Sequence, residues 1–153
     1  MSYYPDLTAY EYYKKENSLN IGWLDGIHPF EQGAVKSDVL DHLWLFLHHP
    51  SVVHRGFHRC EICEKKSKMH MALYKEESMY LGCQEIRVFS RDSAAVYAAP
   101  SLIFHYISEH NYYPPEEFQN ALLNGPQPGS IQYQTRLIRL QLKKNLAAWF
   151  RTK

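Results

Sequence analysis

The stretch "VHRGFHRCEICEKK" places Cys60 and Cys63 three positions apart beside His54 and His58, and the chain has only one other cysteine. A CxxC turn lets two thiolates reach one tetrahedral ion at about 2.3 Å, and two more ligands are needed to close a structural site. Downstream, His105 and His110 in "LIFHYISEHN" have the spacing H-x4-H, inside the gap of three to five residues between paired zinc histidines. The resulting order is knuckle, hairpin, then a helix with two histidines. These are the parts of a zinc finger, although the interval from Cys63 to His105 is far longer than an ordinary finger has.

The helix sets an angular condition. Residues five apart on a regular helix differ by about 140°, so His105 and His110 share an ion only if the last turn loosens near Asn111. His58 is the rival fourth ligand. It lies two residues before Cys60, and "HRCEIC" would then supply three ligands from one loop, with His105 as the fourth. The expected cofactor is zinc, held by Cys60 and Cys63 with His105 and either His110 or His58. Cys83, after Gly82, is a further possible ligand, but a lone cysteine there also fits a small buried apolar side chain.

Other chemistry finds less footing. A redox CxxC sits at a helix N-terminus after a strand, where the dipole lowers a thiol pKa. Here the flanks are "RGFHR" and "EKKSK". Neither HExxH nor the HxE with PCxxC of nucleic-acid deaminases occurs, nor does a Gly-rich phosphate loop or a nucleophile elbow. Glu61 and Glu64 beside the knuckle read as solvated charge. No catalytic residue is assigned.

These residues need positioning elements. "SDVLDHLWLFLHHP" repeats apolar residues at helical steps behind Ser37 as a cap, and it stops before Pro50. "NIGWLDGIHPFEQG" reads as an ordered loop or short strands. "EKKSKMHMALYKEESMY" has mixed charge and no firm period. "QEIRVFS" and "AAVYAAP" flank "RDS" as a hairpin. Pro100 then opens a helix with Leu102, Ile103, Tyr106 and Ile107 on one face, and "PPEEFQNALLNG" supplies another that Gly125 stops. Ser130 to Arg151 is a basic helical segment ending in Leu146, Trp149 and Phe150. The expected fold is α+β: a hairpin or small sheet, about four helices and a zinc-knuckle-like loop. Residues 1–128 form a zinc-stapled core, and 129–153 a basic C-terminal helix packed on it or extending from it.

The blocks "GWLDGIHPF", "RGFHRCEIC", "LGCQEIRV" and "YAAPSLIFHYISEHNYYPPEEF" together resemble an uncharacterised bacterial family, a domain of unknown function with RGxHxCxxC, GxxEIRV and YAAPxLIxHYxxxHxYxPP. The resemblance runs from about Tyr4 to Leu123. It marks Arg55, Gly56, His58, Cys60, Cys63, Glu85, Arg87, Tyr97, Pro100, His105, Tyr106, His110, Tyr112, Pro114 and Pro115. It implies no activity. The family is small or polar where Cys83 stands, which counts against that cysteine as a ligand.

At 153 residues the chain can bury a core without metal or disulfides. Three cysteines and no secretion signal or apolar span point to a reducing, cytoplasmic setting without membrane contact. A net charge of +1 gives no global field for nucleic acid. Local basic patches remain: Arg136, Arg139, Lys143, Lys144, Arg151 and Lys153 in the tail, and Arg55, Arg59, Lys65, Lys66 and Lys68 around the knuckle. With 14% aromatic residues and 12 tyrosines, a recognition surface is expected. The reading is a non-catalytic, zinc-stabilised protein that binds another protein, such as an immunity protein for a bacterial toxin or a subunit of a complex. A zinc-dependent hydrolase or nuclease and a nucleic-acid-binding zinc protein are the alternatives.

Overall fold

A computed structural model describes residues 3–12, 17–64 and 69–140. It is α+β, with four helices, a four-stranded sheet and a separate hairpin among the described residues. In chain order the elements are β1 (Leu19–Asn20), α1 (Ser37–Leu47), β2 (Val52–Val53), β3 (His70–Tyr74), β4 (Glu77–Leu81), β5 (Gln84–Phe89), β6 (Val96–Pro100), α2 (Ile103–His110), α3 (Glu116–Asn124) and α4 (Ile131–Arg139). The sheet order is β1-β6-β5-β2, with β1 parallel to β6 and the other pairs antiparallel.

Strand β5 is buried on both faces, and this shapes everything around it. Ile86 and Val88 point to the side where α1 and α3 pack, and Leu43, Phe46, Phe118 and Leu122 complete that core. Glu85 and Arg87 lie on the opposite side, as alternation requires. There the N-terminal arm covers them with Tyr10, whose backbone N–H donates to Ser18 O at 2.8 Å. Arg87 is 0% exposed and donates to Glu85 Oε1 at 3.0 Å, with its guanidinium over the Tyr10 ring at 4.6 Å. A buried charge persists only when paired and hydrogen-bonded, and this pair meets that condition.

The hairpin of "QEIRVFS" and "AAVYAAP" forms as expected, with Ile86 opposite Ala99 and Val88 opposite Tyr97. Three details differ. Ser37 is the first residue of α1, and the cap position falls to Lys36, which offers no side-chain bond. Pro100 ends β6, and α2 starts at Ile103 after a turn. The stretch without a firm period folds as the hairpin β3–β4, turned by Lys75 and Glu76 with φ of 46° and 70°. Two-residue hairpin turns with both φ positive are normally signalled by Asn-Gly or Asp-Gly, so Lys-Glu hid it.

Ser130 caps α4, its Oγ accepting from Tyr133 N–H at 3.1 Å, and Tyr133 and Leu137 enter the core. The Tyr133 hydroxyl donates to Arg87 O at 2.6 Å. Of the basic tail, Arg136 donates to Ser90 O at 2.9 Å; Lys143, Lys144, Leu146, Trp149, Phe150, Arg151 and Lys153 lie outside the described residues. Among the described residues no helix is long and apolar enough to cross a membrane.

Gly125 lets α3 end against β5. A Cβ there would stand 2.0 Å from Phe89 O and 2.7 Å from Ala121 O, backbone atoms with little room to move. Gly125→Ala is therefore expected to cost at the upper end of roughly 1–3 kcal/mol, read from the urea midpoint. An unchanged midpoint would mean that the α3–β5 contact is looser than this.

Candidate metal centre

The knuckle and α2 meet at one point. Cys60, Cys63, His105 and His110 each bring one ligand atom, and all four atoms lie within 4.8 Å of one another. Cys63 Sγ is 3.1 Å from His105 Nε2 and 3.3 Å from His110 Nε2, and Cys60 Sγ is 3.3 Å from His110 Nε2. For a regular tetrahedron with Zn–S of about 2.3 Å and Zn–N of about 2.05 Å, a sulfur–nitrogen edge is about 3.6 Å. The three sulfur–nitrogen edges given are within about half an ångström of that value, so the donor set could close on a tetrahedral ion.

Both histidines reach the point because α2 ends in a wide turn. The N–H groups of Asn111 and Tyr112 both donate to Tyr106 O, five and six residues back, and Asn111 adopts the left-handed conformation at φ 59°. A turn wider than the α-helical one carries His110 back towards the face of His105, and their ring centroids are 5.1 Å apart. This is the loosening near Asn111 that the spacing demanded.

Electrostatics favour neutral imidazoles and an unactivated Cys60 thiol in the metal-free protein. Burial, with His70 and His110 alongside, lowers His105 to about 4. Burial also lowers His110, while Glu109 pulls the other way. Burial pushes the Cys60 thiol up to about 11 despite backbone N–H donation from Ile62 and Cys63. A redox or nucleophilic cysteine needs the opposite shift. A thiolate at Cys60 needs a cation to hold it, which is what a metal site would supply.

His70 is the residue that sequence reasoning passed over. It is buried on β3, its Nε2 accepts the Cys60 N–H at 3.0 Å, and its ring packs on His105 at 4.4 Å. It braces the first cysteine of the knuckle, a supporting role that commonly orients metal ligands. Its only signal was a histidine in a stretch whose hairpin went unread.

His58, the rival fourth ligand, does not join the cluster. Its backbone N–H donates to Gly82 O at 2.9 Å, and the residue borders a different cleft, lined also by His54 and Glu85. The strand-like pairing with Gly82 holds His58 away from the Cys60 side. Gly82 has φ of +118°, and a Cβ on it would stand 2.6 Å from His58 O. Cys83 is also outside the cluster, and its carbonyl accepts the His54 N–H at 2.6 Å. Glu61 and Glu64 are exposed.

The depressed imidazoles predict a pH dependence. His105 and His70 stay neutral in the fold, so the unfolded chain takes up protons first below about pH 6.5. Stability is therefore present above that value and is lost as pH falls towards about 4, the folded-state value of His105. Proton competition for a bound metal acts in the same direction. The melting temperature should drop between pH 7 and pH 5, and equal melting at both would contradict the burial of these rings.

Fold and site together define a small α+β domain carrying a Cys2His2 cluster that could bind a metal ion. The family model of the domain of unknown function DUF7919 matches residues 2–123, and the chain belongs to that family. No curated protein and no solved structure matches it.

Proposed function

We propose that this is a non-catalytic protein in which zinc staples the knuckle to α2 and whose task is to bind another protein. The observation that carries the metal half is the convergence of two sulfurs and two imidazole nitrogens on one point. Structural zinc sites are closed by four protein ligands, whereas catalytic ones keep a position open. With Cys60, Cys63, His105 and His110 all engaged, no position is left for a substrate or an activated water. The hydrolase or nuclease alternative needs such a position.

The binding half rests on the hairpin β3–β4. Its outer face carries Met71, Leu73 and Tyr80 at 60%, 75% and 54% exposure, with Met71 and Tyr80 directly opposite each other. Grouped apolar side chains on a small domain mark interaction surfaces. A toxin or a complex subunit is the partner class, on the reading made from the sequence.

Elemental analysis of untagged protein tests the metal, with one zinc per chain expected and none in Cys60→Ser or Cys63→Ser. The cobalt-substituted protein should show the strong visible absorption of tetrahedral thiolate-bound cobalt, unchanged by azide. A spectrum that moves on adding azide would reveal an open position and favour the enzyme. For the partner, Leu73→Glu should leave melting unchanged and abolish the one-to-one complex with a toxin encoded beside this chain. A complex that survives the substitution would remove the hairpin from the interface.

A further inference from the structure

Away from the metal cluster, the arm, β5 and the segment before the knuckle enclose a cleft of about 190 Å³, with Tyr4, Tyr10, Tyr12 and Trp23 among its walls. Trp23 meets Tyr4 edge-on at 5.8 Å and Tyr10 at 6.2 Å, and Tyr12 stands edge-on to the His54 ring at 5.9 Å. The polar side is built around Glu85. Its Oε1 accepts from the Tyr10 hydroxyl at 2.7 Å and from Arg87 at 3.0 Å, and its Oε2 lies 2.5 Å from His54 Nε2.

An ionised carboxylate only accepts, so the His54 nitrogen facing Glu85, Nε2, is the donor, and in the tautomer protonated there Nδ1 is an acceptor. A second acceptor stands next to Glu85 in sequence. Gln84 also lines the cleft, and its Oε1 is buried without a hydrogen-bond partner among the described residues. A buried acceptor without a donor is uncommon and calls for one. Glu85 and Arg87 cancel each other's charge, so this buried pair by itself offers no net charge to an ion. Its volume compares with the roughly 150 Å³ apolar cavity that takes one benzene ring.

We propose that this cleft binds a neutral, single-ring aromatic or heteroaromatic molecule that donates an N–H or O–H to His54 Nδ1 and lays its ring against Trp23 and the arm tyrosines. No serine, threonine or cysteine is among the described residues that line the cleft, so the assignment is to binding without a covalent step. None of its lining residues belongs to the metal cluster, and the inference goes beyond the zinc reading.

Ligand-observed NMR titration of the full chain with phenol, uracil, anisole, benzoate and benzylamine tests it. Phenol and uracil should bind saturably, and anisole, which lacks the donor, about tenfold more weakly. His54→Ala should weaken phenol by a similar factor. Tyr12→Ala, at a ring 66% exposed and so safe for folding, should weaken both phenol and uracil severalfold and carries the test if His54→Ala does not fold. No saturable binding of phenol or uracil, equal or tighter binding of benzoate or benzylamine, or affinities unmoved in the folded variants would each overturn the proposal. Zinc content measured in the same samples keeps the two readings apart: metal-free protein that still binds phenol overturns the staple and supports the cleft.

Discussion

Stripping the metal with a chelator is expected to lower the melting temperature of the protein by about 10 °C, and Cys60→Ser should do the same without chelator. A ligand that binds only the folded state adds about 4 kcal/mol when its free concentration is a thousandfold above Kd. For a chain of this size each kcal/mol moves melting by roughly 2–4 °C. A metal held by the cluster would tie the loop of Cys60 and Cys63 to α2, two segments otherwise far apart in sequence, so its loss would free the knuckle while the core of β5, α1 and α3 remains. The expected result is destabilisation with the helical content largely kept. Cys83→Ser, outside the cluster, should have the smaller effect. If Cys83→Ser were the more damaging, or if chelation left melting untouched, the cluster would not be a metal site.

Arg87→Met should destabilise by about 3–5 kcal/mol, the cost of breaking a buried ion pair by removing one partner. The guanidinium is 0% exposed and donates to Glu85 Oε1 and to Ile86 O. Without it the Glu85 carboxylate stays buried with the Tyr10 hydroxyl and His54 as its remaining described partners. The double change Glu85→Leu with Arg87→Met removes both charges and should recover much of the loss, because apolar replacement of a whole buried pair is often neutral or stabilising. Urea unfolding of the two singles and the double gives the coupling directly. A single Arg87→Met variant as stable as the parent would show that water reaches this pair. The same substitutions bear on the cleft, since Glu85 holds His54 in place there.

Much of the architecture was legible because it rests on local signals. The apolar spacing of α1 and α2, Pro114 and Pro115 before α3, Gly125 after it and the alternation of β5 and β6 all report on neighbours within a few residues. The CxxC turn and the H-x4-H spacing were equally local, and they named the four residues that the fold brings together. The hairpin β3–β4 escaped because its turn residues, Lys75 and Glu76, take positive φ without the usual glycine or asparagine, and with it went His70.

What the sequence by itself determined was the α+β class, the helices and the two halves of a Cys2His2 cluster that could hold a metal ion. Only the tertiary structure brings His110, and not His58, beside the two cysteines. That choice turns on the wide turn at the end of α2 and on the pairing of His58 with Gly82, which depend on segments distant along the chain. It also decided that Arg87 is buried and that Glu85 joins His54 and the arm tyrosines in a cleft. Alternation puts Glu85 and Arg87 on one face of β5, but whether that face meets water or a covering arm is set by long-range packing, which local residue patterns do not encode.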